Sequence, residues 1–214
     1  MSSPRRVLLA DDHVIVLEGL RRVLEPDFEI VGEVADGQAL VAATGSLRPD
    51  IIVTDISMPL LNGIEAARQI RKTNRRVKII FLTMHPDVTF AAEALCAGGS
   101  AYVLKSSAGA EILSAIQEAW SGRTYVTPSI NQEVVHAQME RIGRRDGVES
   151  ELTPRQREVL QLLAEGKGLK EVAAVLHISI KTAEFHKYRI MRHLGLRTNA
   201  DVTKYAVKIG MTSL

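Results

Sequence analysis

Along the first 120 residues, short apolar runs alternate with longer stretches whose apolar positions recur three or four apart. The runs are Val7-Leu8-Leu9-Ala10, Glu29 to Val34, Ile51 to Thr54, Lys78 to Thr83 and Ala101-Tyr102-Val103-Leu104. Between them lie Val14 to Leu24, Gln38 to Leu47, Ile64 to Arg71, Val88 to Ala97 and Ala108 to Trp120. Runs of this length, apolar on both faces, predict buried strands, and the stretches between them predict amphipathic helices. Five strand–helix units in succession predict an α/β domain: a five-stranded doubly wound parallel sheet over residues 5–122.

The rhythm breaks after Ser121-Gly122-Arg123. Residues 123–150 read as a partly helical linker, with a candidate helix from Ser129 to Ile142 and a Gly/Arg-rich stretch at 143–147. From 151 to 211 the pattern is entirely helical and predicts a small all-α domain of four helices. Thr153-Pro154-Arg155-Gln156 has the residues of a capping box with proline in the first turn. Gly166 stops that helix, a second covers about Leu169 to Leu176, Ser179 caps a third to about His193, and Asn199 caps a fourth to Lys208.

Charge divides the chain at the same place. Residues 1–150 carry 16 Lys/Arg against 19 Asp/Glu, and residues 151–214 carry 11 against 6. An acidic body with a basic second domain points to a polyanionic partner for the latter. No apolar run approaches the roughly 18 residues that span a bilayer. Met1 to Arg6 leads into only four apolar residues before Asp11, unlike a secretory signal. The single cysteine, Cys96, excludes an internal disulfide and a cysteine-rich zinc site and fits a reducing cytoplasm. Its helical surroundings predict a core position.

The candidate chemistry lies at strand ends. Asp11 and Asp12 follow the first strand and Asp55 ends the third. Parallel strands all end on one edge, where ligands of such sheets bind. Three carboxylates gathered there repel one another unless a cation intervenes, and an oxygen-only, hydrated site favours Mg²⁺. Thr83 ends the fourth strand and Lys105 follows the fifth. Carboxylates, a hydroxyl and an ammonium suit phosphoryl transfer, with Asp55 as nucleophile. An aspartyl phosphatase would place a second acid two residues on, where this chain has Ser57.

Asp11-Asp12, Asp55 with Met58-Pro59 and Gly63, Thr83 and Lys105 resemble, in order and spacing, the receiver domain of bacterial response regulators. The resemblance implies that Asp55 accepts a phosphoryl group from a sensor histidine kinase. It implies Mg²⁺ held by Asp12, Asp55 and the Ser57 carbonyl, with Asp11 acting through water. It further implies that Thr83 contacts the phosphoryl group and that Tyr102, on an edge strand, then swings inward as a switch. One departure is Ser106, where the family commonly has proline.

The second domain resembles the LuxR/NarL-type effector. The matching residues are Leu152 to Leu160, Lys170-Glu171-Val172-Ala173, Ser179 to His186 and Leu194-Gly195. Its second and third helices have the proportions of a helix-turn-helix, whose later helix enters the major groove of double-stranded DNA. Phasing puts Ala183, the Lys187 stem, Ile190 and Leu194 inward and Lys181, Glu184, Phe185, Tyr188 and Arg192 outward. Lys181, Lys187, Arg189 and Arg192 suit phosphates, Tyr188 can donate to one, and Phe185 suits a thymine methyl. Thr182 completes the expected DNA-contacting set. The family's last helix mediates dimerisation, which assigns that role to the stripe Val202, Tyr205, Ala206 and Ile209. Gly168-Leu169 departs from the family's Ser/Thr-Asn and predicts a weaker start to the second helix.

Together these features predict a two-domain NarL/FixJ-type response regulator: cytoplasmic, without membrane contact, and not an enzyme beyond its own phosphorylation and dephosphorylation. The partners implied are a histidine kinase, DNA and a second copy of the chain. The alternative is a DNA-binding regulator controlled by protein contact without phosphorylation.

Overall fold

The computed structural model describes residues 4–84, 86–130, 135–136, 139–140 and 152–212. The first domain runs β1 (Arg5–Ala10), α1 (Val14–Leu24), β2 (Phe28–Val34), α2 (Gly37–Leu47), β3 (Ile51–Asp55), α3 (Gly63–Thr73), β4 (Lys78–Thr83), α4 (Val88–Cys96), β5 (Ala101–Leu104), α5 (Ala108–Trp120) and β6 (Tyr125–Val126). The strands form one parallel sheet in the order β2-β1-β3-β4-β5-β6. Chain order reverses at β1 and β3, so the crevice at this switch lies between the ends carrying Asp11 and Asp55.

Successive strand residues point to opposite faces, and the two cores follow that period. Leu8, Ala10, Ile52, Ile79, Phe81 and Tyr102 enter one core with α2, α3 and α4. Val7, Leu9, Ile51, Val53, Ile80, Leu82 and Val103 enter the other with α1 and α5. Each fully buried large aliphatic side chain contributes roughly 1.5–3 kcal/mol, which is why the middles of the central strands are built mainly from Val, Leu, Ile and Phe.

Two expectations change here. The sheet has six strands, because Tyr125–Val126, placed in the linker by sequence, pairs with β5. Val126, Ile130 and Val135 are buried in the first core, so this domain continues past residue 122, and β5 is not an edge strand. Cys96 is exposed at the end of α4 rather than buried. Most of the candidate helix at 129–142 and the stretch at 143–147 lie outside the described residues.

The second domain comprises α6 (Pro154–Ala164), α7 (Leu169–Val175), α8 (Ile180–Leu194) and α9 (Asn199–Lys208). The capping box at Thr153 forms: Gln156 N–H donates to the Thr153 hydroxyl, and Thr153 N–H donates to Gln156 Oε1 at 2.8 Å. Gly168 offers α7 no side-chain cap, and Glu171 compensates by accepting from Gly168 N–H at 2.7 Å. Thr198, not Asn199, caps α9, with its side chain accepting from Asp201 N–H. Leu160, Leu163, Val172, Ala183, Ile190, Val202 and Ala206 share the core.

Candidate functional site

Asp11 is fully buried and Asp55 nearly so, an arrangement that needs charge compensation. Lys105 supplies it. Its Nζ lies 2.7 Å from Asp11 Oδ2 and 2.9 Å from Asp55 Oδ2. Burial alone would lower the Lys105 ammonium, but the Asp55 charge and hydrogen bonds to Asp11 and Asp55 together raise it above 10.5. The Lys105–Ser106 peptide is trans, and Lys105 opens a short 3₁₀ turn leading into α5. Asp12 is exposed on the solvent side of this group. Asp11, Asp12, His13 and Asp55 each offer a ligand atom within 4.8 Å of the others, a donor set that fits a divalent cation.

Asp55 is fixed from below. Its Oδ1 accepts from Ile56 N–H at 2.7 Å, and Gly63 N–H donates to the Ile56 carbonyl at 2.8 Å. A Cβ at Gly63 would sit 2.1 Å from the Asp55 carbonyl oxygen, so only glycine lets α3 start this close to the strand end. Thr83 and Tyr102 lie on adjacent strands, on the α2–α4 side of the sheet. Tyr102 is wholly buried and shares a hydrogen bond with the Thr83 side chain, and burial pushes its phenol above the ordinary range. The expected outward starting position of Tyr102 is therefore corrected: the ring is already inside, held on both sides now that β6 covers β5.

The loop after Asp55 touches the second domain, which sequence reading missed. One face of α6 carries Arg157, Glu158, Gln161 and Glu165. Gln161, almost fully buried, donates through Nε2 to the Met58 carbonyl at 2.8 Å and accepts at Oε1 from Asn62 N–H at 2.8 Å. Glu165 accepts from Leu60 N–H at 3.1 Å, and Glu158 accepts from Gln69 at 2.9 Å. Leu60 has φ 64°, a conformation disfavoured for a branched side chain, and packs against the core of the second domain. Arg157 pairs with the buried Glu65 at 2.7 Å, and the Ser57 hydroxyl donates to the Gly210 carbonyl at 3.4 Å. The signal for this contact was the run of polar residues at i, i+4 and i+8 on α6, which by itself reads as a solvated face.

On α8 the inward and outward sides fall as phased. Ala183 and Ile190 are fully buried, Lys187 and Leu194 half-buried. Lys181, Thr182, Glu184, Arg189 and Arg192 are exposed, as are Phe185 at 55% and Tyr188 at 62%. Thr182 is partly committed to its own helix start, sharing a hydrogen bond with Ser179 at 2.8 Å. Arg189 lies over the Phe185 ring, 5.6 Å from its centroid. The assignment on α9 is corrected. Val202 and Ala206 are buried in the core that α6 also lines, so these two hold the domain together and are not open to a second copy, while Tyr205 and Ile209 pack on the same core and stay half-exposed.

Comparison with known proteins agrees with both halves. The response regulator receiver domain family matches residues 7–117, and the family described as bacterial regulatory proteins, luxR family, matches residues 150–206. This chain is a response regulator. It is 31% identical over 207 residues to response regulator UvrY of Escherichia coli K12, covering 96% of this chain and 94% of UvrY. It is 32% identical over 211 residues to the oxygen regulatory protein NreC of Staphylococcus epidermidis, covering 95% and 97%. The solved structure of RcsB from Salmonella typhimurium aligns over 97% of this chain and 99% of RcsB, at 30% identity and TM-score 0.67. RcsB bound to a promoter with the phosphomimetic BeF₃⁻ aligns over 95% and 98%, at 30% identity and TM-score 0.63. The response regulator thus pairs a receiver with a LuxR-type DNA-binding domain. No helix among its described residues is long and apolar enough to cross a membrane.

Proposed function

We propose that Asp55 accepts a phosphoryl group from the phosphohistidine of a sensor histidine kinase, and that the resulting acyl phosphate controls binding of the second domain to double-stranded DNA in the cytoplasm. The observation that carries this reading is the Lys105 ammonium lying between Asp11 and Asp55. It is placed to neutralise oxygens on a group transferred to Asp55. The P–N bond of the donor breaks as the P–O bond to Asp55 forms, and the donor histidine is released. The Thr83 hydroxyl, at the end of the neighbouring strand, would hydrogen-bond the new phosphoryl oxygens.

Asp12, Asp55 and the Ser57 carbonyl would hold Mg²⁺, with Asp11 acting through water. When bound, the ion supplies positive charge to the transferring group. The protein is otherwise not an enzyme: its chemistry is its own phosphorylation and dephosphorylation. The outward face of α8 would read DNA, and two copies would occupy two half-sites; the related RcsB has been solved bound to a promoter.

The route between the sites is short. Asp55 is followed directly by the loop whose Met58, Leu60 and Asn62 backbones are held by α6. A phosphoryl group on Asp55 changes what that loop must satisfy, and the two domains separate when those hydrogen bonds are exchanged for others. The test is intact mass after incubation with acetyl phosphate and Mg²⁺, followed by DNA affinity. One added phosphoryl group on the natural protein and none on Asp55→Asn, with tighter promoter binding by the former, is the expected result. An adduct that survives in Asp55→Asn would refute the assignment.

A further inference from the structure

His13 occupies the N-cap of α1, where Ser, Thr, Asp or Asn normally turns its side chain back onto the helix. His13 makes no such bond. Its backbone N–H is held by Asp11 Oδ1 at 2.9 Å, which turns the ring toward the acidic cluster. Nδ1 lies 2.9 Å from Asp12 Oδ1 and 3.2 Å from Asp11 Oδ1. The ring is 61% exposed, so packing does not account for its position. Asp11 is thereby divided: Oδ1 faces His13 and Oδ2 faces Lys105. The imidazole and the lysine approach the carboxylates through different oxygens, and a cation on the His13 side need not displace the ammonium.

We infer that His13 is a specificity-determining ligand of the receiver's cation site, giving it a nitrogen donor and a preference for first-row ions such as Mn²⁺ over Mg²⁺. Nδ1 stands 2.9 Å from Asp12 Oδ1, the spacing of neighbouring ligands on one small ion, and in the tautomer that carries its proton on Nε2 it can share an ion with the three carboxylates. Mg²⁺ gains little from imidazole, whereas affinity for first-row divalent ions at mixed nitrogen–oxygen sites rises from Mn²⁺ toward Cu²⁺. The inference rests on reading the acidic cluster as a cation site and adds one ligand to it.

Mn²⁺ is the probe, added to the full chain. Titration followed by electron spin-echo envelope modulation reads directly whether a ¹⁴N nucleus of imidazole is bound to the ion. The expected result is a ¹⁴N coupling in the natural protein that vanishes in His13→Asn. Alongside it, the preference for Mn²⁺ over Mg²⁺ should fall by about 10-fold or more, the scale on which ligand surroundings tune affinity. Circular dichroism and melting temperature establish that the variant is folded, and His13→Gln serves as a second variant if it is not. Mn²⁺ bound without ¹⁴N coupling, or with a coupling that survives both variants, overturns the role of His13 and leaves a carboxylate site intact. Failure of the natural protein to bind either Mn²⁺ or Mg²⁺ overturns the cation site itself, and this inference with it.

Discussion

Gln161 of the DNA-binding domain spans the loop that follows Asp55, its amide oxygen accepting from Asn62 N–H and its amide nitrogen donating to the Met58 carbonyl, both at 2.8 Å. Asn62 is in turn the N-cap of α3, its side chain accepting from Glu65 N–H at 2.9 Å. One amide from the DNA-binding domain therefore reports on the backbone three to seven residues past Asp55.

Replacing Gln161 by Leu keeps much of the volume and leaves a buried N–H and a buried carbonyl without partners, at a cost of about 1–3 kcal/mol each if the domains stay docked. The domains should instead separate more often. Hydrogen exchange at the Asn62 amide is expected to accelerate, and the radius of gyration by X-ray scattering to increase. Unchanged exchange at Asn62 would show that the contact does not hold the domains together.

Lys105→Met should remove most of the charge compensation at Asp11 and Asp55. Breaking a buried pair from one side costs about 3–5 kcal/mol, so a lowered melting temperature and loss of acetyl phosphate labelling are expected together. The sign with pH follows from the raised Lys105 value. The stability this group adds is complete below its ordinary 10.5 and is lost as pH rises through the higher folded value. The gap between natural and variant proteins should thus be constant through neutral pH and narrow in alkali. A gap that widens there would contradict the assignment.

Glu65 makes the opposite point about ion pairs. Burial raises its carboxyl above 4.5 despite Arg157 at 2.7 Å and Arg68 at 3.3 Å. The stability contributed by this group is present below 4.5 and lost as pH rises through the higher folded value. Glu65→Gln, neutral throughout, should be at least as stable as the natural protein at pH 7, and the two melting curves should converge in acid. Destabilisation of the variant at pH 7 by more than about 1 kcal/mol, the scale of one net hydrogen bond, would show that the Arg157 pair outweighs its desolvation.

On α8, an exposed cation and a buried aliphatic residue separate binding from folding. Lys181→Ala should leave the melting temperature within about 0.5 kcal/mol of equivalent stability. It should weaken DNA binding and reduce the salt slope by about one phosphate contact. Ile190→Asp places a charge in the effector core and should unfold that domain. Equal losses for both by calorimetry would overturn this assignment of the two faces of α8.

The sequence by itself determined the strands, the helices and the edge where the carboxylates gather. Apolar residues at period two and period 3.6 leave little choice of element, and parallel strands must end on one side, so Asp11, Asp12, Asp55 and Lys105 were legible as one cluster. The Thr153 box and the Ser179 cap were legible because a cap is satisfied within four residues. Tertiary structure alone decided what each exposed-looking or apolar-looking face would meet. Gln161 and Glu165 read as a solvated helix face because a polar side chain is equally served by water or by another backbone. Val202 and Ala206 read as a free apolar stripe, but such a stripe specifies only that it needs a partner, and α6 is that partner. A two-residue strand such as Tyr125–Val126 is too short to carry a period, and the ring of His13 turns toward Asp12 only because the chain bends there. Local interactions write themselves into neighbouring residues; contacts between distant segments depend on where the rest of the chain has already been placed.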